Sequence, residues 1–89
     1  MNKQDVLQAV IDKYGDEAQS RQAMEECGEL IVAINKTLRY PTRTSRLCLI
    51  EEMADVSIMI TQLKLMHCIS NDELKTVIDD KIETLKDLI

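Results

Sequence analysis

Helix-breaking signals divide the chain at three places, and these breaks constrain its fold more than any other feature. They are Gly15, Pro41 and the stretch ISND at 69–72, and each lies between segments with helical spacing of apolar residues. The breaks predict four helices: 3–13, 16–39, 43–67, and a fourth that Ser70 or Asn71 caps and that continues to the C-terminus. No segment alternates with a period of two for long enough to form a strand, so we predict an all-α fold.

The composition bears on the size and assembly of this fold. At 89 residues the chain has room for one domain, 1–89, with a modest core. Only 2% of the residues are aromatic, which leaves aliphatic residues and Met to build the core and favours helices. The third predicted helix is apolar in nearly every direction, although a four-helix monomer needs one apolar stripe per helix. We therefore predict a homo-oligomer, a dimer or a dimer of dimers, with this helix near the interface.

The charge of the chain excludes several classes of partner. A net charge of −5 repels nucleic acid and anionic lipid, so we predict neither a nucleic-acid nor a membrane partner. The N-terminal sequence has no apolar signal region and no run approaches 18 apolar residues, which predicts a cytoplasmic protein. Three cysteines, an odd number within apolar helical patterns, predict buried and reduced thiols: Cys27, Cys48 and Cys68.

Two pairs of acids lie on helix faces that should be apolar. Glu52 and Asp55 point toward the core side of the third helix. On the second helix, Glu26 borders the predicted core stripe and Glu29 lies beside it, while the stripe itself comprises Ala23, Cys27, Leu30, Ile31, Ile34 and Leu38. A carboxylate that leaves water without a partner costs several kcal/mol. Spacing of i, i+3 makes the members of each pair converge.

If the two helices pack side by side, four carboxylates meet and need a compensating cation. Oxygen ligands alone favour Mg²⁺, with Mn²⁺ as a substitute. Either acid pair alone is more typical of a solvated surface, but two pairs on successive helices favour a metal site. A di-iron site needs Glu-x-x-His, and the single histidine, His67, lies far from Asp55 around the helix.

The motif EECGE at 25–29, followed by EMAD at 52–55, resembles the EExxE…ExxD signature of the MazG-like nucleoside triphosphate pyrophosphohydrolases. The similarity extends from YGDEAQ near residue 14 to the C-terminus. It implies a four-helix fold in dimers or tetramers, whose active sites are completed by helices of neighbouring subunits. It also implies Mg²⁺-dependent cleavage of an NTP or dNTP, including non-standard nucleotides, to the monophosphate and pyrophosphate. By resemblance the metal ligands are Glu26, Glu29, Glu52 and Asp55, and Glu25 binds a further metal or orients the attacking water.

Other polar residues are candidates for contact with the nucleotide. Lys81 shares the apolar face of the fourth helix, where a cation needs an anion, so it is either a phosphate partner, a structural ion pair or a snorkelling side chain. Lys36 begins a basic cluster that faces either phosphates or solvent. Gln19 and Gln22 precede the motif and either contact a base edge or simply lie on a polar surface.

Two functions of different classes follow. The first is an enzyme that hydrolyses a nucleoside triphosphate with Mg²⁺. The alternative is a non-catalytic helical oligomerisation or regulatory module, in which the acids form a structural divalent-metal site. Lys81 and Glu25 favour the enzyme, because a purely structural site needs neither.

Overall fold

The computed structural model describes all 89 residues, and its regular structure is entirely helical. Four α-helices follow one another along the chain, and a short 3-10 turn ends it: α1 Lys3–Tyr14, α2 Asp16–Arg39, α3 Arg43–Met66, α4 Asn71–Leu85 and the 3-10 turn Lys86–Leu88. The predicted all-α class is confirmed, and the predicted ends of the first and third helices differ from the observed ends by one residue each. None of these helices combines the length and the apolar character that crossing a bilayer requires.

Local capping explains why the helices begin where they do. Gly15 separates α1 from α2 with a φ of +92°, a backbone conformation that L side chains rarely adopt. Thr42 begins α3 through a capping box, in which the Ser45 N–H donates to Thr42 Oγ1 at 3.1 Å and the Thr42 N–H donates to Ser45 Oγ at 3.0 Å. Ser70 begins α4 through a second capping box with Glu73, so Ser70 rather than Asn71 is the cap.

The helices α2 and α3 form a long antiparallel hairpin, which is the main packing unit of the chain. The first half of α2 lies beside the last turns of α3, since Ala23 and Leu63 line the same groove. The shorter α1 packs on one side of this hairpin, against both helices. In contrast, α4 has almost no packing against the other helices. Glu26 of α2 lies close to Glu52 and Asp55 of α3 in this hairpin.

The core of the single chain is small. Seven residues are buried: Ile11, Gln19, Ala23, Ala33, Ser45, Met59 and Gln62. The radius of gyration is 15.6 Å, whereas a compact domain of this length has about 12 Å. The chain is therefore open for its length, and it leaves many large apolar side chains in contact with solvent.

Two predictions about burial are wrong. Most of the predicted core stripe of α2 is exposed, with Ile31 68% and Leu38 79% accessible, and only its first member, Ala23, is buried. The other buried residues of α2 are Gln19 and Ala33, which the stripe did not include. Small side chains at the contact allow the two helices to approach closely. The three cysteines are free thiols, as predicted, but all of them are exposed rather than buried.

Candidate metal centre

Three carboxylates meet in the middle of the α2–α3 hairpin. Glu52 and Asp55 lie on successive turns of the inner face of α3, and Glu26 lies opposite them on α2. One oxygen of each side chain lies within 4.8 Å of an oxygen of the other two, and all three residues are half-buried. We call this group the carboxylate triad. The sequence predicted that acids of the two helices would meet, and the structure brings three of the four together.

The triad is electrostatically unfavourable when nothing compensates its charge. Glu52 Oε2 is buried and has no hydrogen-bond partner. Burial raises the pKa of the Glu52 carboxyl above its ordinary value, and the nearby charges of Asp55, Glu26, Glu29 and Glu51 raise this pKa further. A buried carboxylate oxygen without a partner is satisfied by a proton or a cation.

Gln22 fixes the position of one member of the triad. Its Nε2 donates a hydrogen bond of 2.7 Å to Glu26 Oε1, across one turn of α2. Groups that hydrogen-bond to a ligating carboxylate orient it and tune its affinity for metal. Sequence reasoning assigned Gln22 to a base edge or a polar surface and missed this role. The i, i+4 spacing of Gln22 and Glu26 is the sequence signal that could have revealed this hydrogen bond.

The triad fits a hard divalent cation. Ligand oxygens around an octahedral Mg²⁺ lie about 2.1 Å from the ion and hence about 3 to 4 Å from one another. One carboxylate oxygen from each side chain lies within 4.8 Å of the other two, which is close to this spacing. All three side chains are carboxylates, and carboxylate oxygens suit Mg²⁺ or Mn²⁺ better than Zn²⁺. Glu52 Oε2 has no hydrogen-bond partner, so its lone pairs are free.

The remaining two acids of the motif are exposed to solvent. Glu29 follows Glu26 by one turn on α2 but is exposed and stands outside the triad. Glu25 is also exposed, and its side chain makes no hydrogen bond or ion pair. The structure therefore separates a half-buried triad from two solvated acids at its edge.

The other candidate residues lie away from the triad or are covered. Gln19 is buried, so it belongs to the helix contact rather than to a free surface. Lys36 is exposed near the end of α2, ten residues beyond Glu26. Lys81 is exposed on α4, which does not pack along the hairpin. The single chain therefore does not hold Lys81 against the triad.

Comparison with known proteins gives no match: no protein-family model matches the chain, and no curated protein or solved structure is significantly similar to it. The motifs EECGE and EMAD, and the triad that they supply, are therefore the features of the chain that bear on its function.

Proposed function

We propose that the chain is a cytoplasmic, Mg²⁺-dependent nucleoside triphosphate pyrophosphohydrolase of the MazG-like type, which cleaves an NTP or dNTP to the monophosphate and pyrophosphate. The observation that carries this proposal is the carboxylate triad, in which a buried oxygen of Glu52 has no partner. Solvated surface acids do not leave water in this way, because burial without compensation is costly. A ligand that brings positive charge explains the arrangement.

In this proposal each residue near the triad has a defined task. Glu26, Glu52 and Asp55 hold the cation, and Gln22 keeps the Glu26 carboxylate in position. When bound, Mg²⁺ neutralises triphosphate charge and lowers the pKa of a coordinated water. Glu25 and Glu29 are exposed beside the triad. In this proposal Glu29 is the fourth metal ligand, and Glu25 binds a further cation or orients the attacking water. The exposure of these two acids suits contact with a ligand that enters from solvent.

We also propose that the chain works as a homo-oligomer, a dimer or a dimer of dimers. The support is the bare side of the hairpin, where an open groove of about 570 Å³ is lined mainly by apolar residues of α2 and by Leu63. Ile31, Ile34 and Leu38 continue this exposed surface along α2. A second copy that covers it would supply the core that the open single chain lacks. The proposed contact of Lys81 with a phosphate depends on such association, since the single chain does not bring it to the triad.

A non-catalytic module with a structural metal is the second candidate. The observation that favours it is the position of Lys81, which leaves the triad without a basic neighbour in the single chain. Both candidates bind a divalent cation, so cation binding alone does not separate them. The products of nucleotide turnover distinguish the two candidates.

The test is incubation of the protein with a panel of standard and modified nucleoside triphosphates, in Mg²⁺ and in EDTA. We expect at least one nucleotide to yield its monophosphate and pyrophosphate in equal amounts in Mg²⁺, and none in EDTA. Release of inorganic phosphate and a diphosphate would indicate cleavage at a different bond. No turnover of any nucleotide, together with Mg²⁺ binding, would favour the non-catalytic module.

A further inference from the structure

Gln62 is the most deeply buried residue of the protein, although its side chain is polar. Only 2% of its surface is accessible, and its Oε1 atom is buried without a hydrogen-bond partner. A buried acceptor without a partner destabilises a fold, and an apolar side chain of similar volume at the same position would avoid that cost. The single chain therefore gains nothing from this oxygen, and a ligand that donates a hydrogen bond to it would explain an amide here.

Gln62 lies in line with the carboxylate triad along the hairpin. It follows Asp55 by seven residues on α3, and the buried Gln19 precedes Glu26 by seven residues on α2. Seven residues are nearly two full helical turns, so each glutamine lies on the same side of its helix as that acid, about 10 Å further along. Because α2 and α3 are antiparallel, both steps lead in the same direction. The two amides therefore lie at the same level of the hairpin.

An open groove runs beside this level, between α1 and α3. Its volume is about 500 Å³, and Val6 and Leu7 of α1 line it together with Ile58 and Thr61 of α3. Ile58 precedes Gln62 by about one turn of α3, so the two side chains point to neighbouring directions. The helix α1 thus lies against the part of α3 that carries the buried amide.

The packing of α1 on the hairpin is slight. Ile11 is the one buried residue of this helix, and Gly15 alone connects it to α2. Segments with few buried apolar contacts open at a low cost in free energy. Movement of α1 away from α3 therefore opens the level of Gln62 to a ligand while the α2–α3 hairpin stays intact.

A carboxamide is chemically suited to the edge of a nucleobase. It presents an N–H donor and a carbonyl acceptor side by side, as base edges do in the complementary sense. Sites for small molecules combine apolar walls with a few polar groups, and the buried Met59 lies one turn before Gln62. The distance of about 10 Å along the hairpin leaves room for the sugar between a base at the amides and phosphates at the triad.

We propose that Gln62, together with Gln19, recognises the base of the nucleotide whose phosphates bind at the carboxylate triad. This inference rests on the proposed nucleotide site and adds the residues that select the base. The helix α1 moves aside to admit the base and then covers it. A base whose edge does not match leaves the buried amides unpaired and is bound less tightly.

Gln62→Met tests this role, because it keeps the length of the side chain and removes both polar groups. The variant without nucleotide should resist urea in EDTA at least as well as the wild type, since it removes an unpaired buried oxygen. Gln8→Met is the matched control, because Gln8 is an exposed glutamine of α1 that bonds to Asp12. If Gln62→Met unfolds more readily than the wild type, the amide stabilises the fold itself and the proposal is overturned.

The second measurement is calorimetric titration in Mg²⁺ with the α,β-methylene analogues of the nucleoside triphosphates, which bind without cleavage at that bond. We expect the wild type to prefer one base and Gln62→Met to bind that analogue at least about tenfold more weakly. Both proteins should bind inorganic triphosphate alike, because it has no base, and Gln8→Met should bind every ligand as the wild type does.

Three results of this titration contradict the base site: a wild type that does not distinguish the bases, a Gln62→Met variant that keeps the wild-type preference, or an equal loss of affinity for inorganic triphosphate. A base preference that Gln62→Met abolishes supports the site even in a protein that cleaves no nucleotide. That combination would contradict the proposed hydrolysis alone, so the two failures are distinguishable.

Discussion

The carboxyl group of Glu52 should make stability depend on pH when no metal is present. Its pKa in the folded chain lies above the ordinary value of 4.5, because of burial and then the charge of Asp55 and its other acidic neighbours. At pH values between the ordinary pKa and the raised pKa of the folded chain, the folded state binds more protons than the unfolded state. The free energy of unfolding therefore falls as pH rises through this interval. Below pH 4.5 the group is protonated in both states, and the stability it contributes is fully present.

Urea unfolding in EDTA at a series of pH values measures this effect. Glu52→Gln should flatten the fall in stability above pH 4.5 and should stabilise the metal-free chain at neutral pH, because it removes charge from the triad. Glu51→Gln is the matched control, since Glu51 is the exposed neighbour of Glu52 and should leave most of the pH dependence in place. Equal slopes for wild type and Glu52→Gln would show that the triad is not strained at neutral pH.

Gln22 should contribute to cation affinity without contacting the cation. Gln22→Ala removes the hydrogen bond to Glu26, and loss of such a partner typically weakens metal binding by about 10-fold to 100-fold. Calorimetric titration with Mg²⁺ measures the change. Gln8→Ala is a suitable control, because Gln8 donates a similar i, i+4 hydrogen bond to Asp12 on the exposed side of α1. If both variants bind Mg²⁺ as the wild type does, Gln22 has no part in the site.

The ends of the helices were predictable from the sequence because they are set locally. Gly15 supplies a positive φ, and Thr42 and Ser70 cap α3 and α4 with their own side chains. The approach of α2 acids to α3 acids was also predictable, because i, i+3 and i, i+4 spacing fixes which side chains share a face.

The inward face of α2 was not predictable in the same way. Hydrophobicity alone placed Ala23, Ile31 and Leu38 in the core, whereas the structure buries Ala23 and Ala33 and leaves Ile31 and Leu38 exposed. A helical pattern shows which residues avoid water, but it does not show whether their cover comes from the same chain or from another copy. The same holds for Lys81, since the apolar face of α4 that it shares is mostly exposed in the single chain.

The backbone amides of α4 should be protected from hydrogen exchange only when the chain is associated with another copy. At concentrations below the dimer dissociation constant, the amides of α4 should exchange with solvent much faster than those of α2 and α3, because α4 packs little against the rest of its own chain. Hydrogen–deuterium exchange at two protein concentrations measures this difference. Ser70→Ala, which removes the cap, should destabilise α4 by about 1 kcal/mol and accelerate its exchange. Protection of α4 that does not change with concentration would argue against docking between copies.

The openness of the whole chain predicts self-association. Sedimentation equilibrium at low micromolar concentration should show a dimer or a dimer of dimers, because a second copy would bury the exposed apolar side chains of the hairpin. A stable 10.2 kDa monomer with the same open shape would contradict this expectation.

A cation that binds only the folded triad should raise the melting temperature. At 100 times its dissociation constant, Mg²⁺ contributes about 2.7 kcal/mol, which corresponds to roughly 10 to 20 °C for a domain of this size. Glu29→Ala shows whether this exposed acid joins the triad as a ligand, since it should reduce the shift only in that case. Identical melting curves in EDTA and in saturating Mg²⁺ would mean that the triad binds no cation.

Pyrophosphate release by three proteins tests the proposed active site most directly: wild type, Glu52→Gln and Glu51→Gln, each with Mg²⁺ and the preferred nucleotide. Both substitutions remove one negative charge from adjacent positions of α3, but only Glu52 belongs to the triad. We expect Glu52→Gln to abolish turnover while retaining the helical content, and Glu51→Gln to keep a rate close to that of the wild type. Turnover by Glu52→Gln at the wild-type rate would contradict the assignment of the triad as the metal site of a pyrophosphohydrolase.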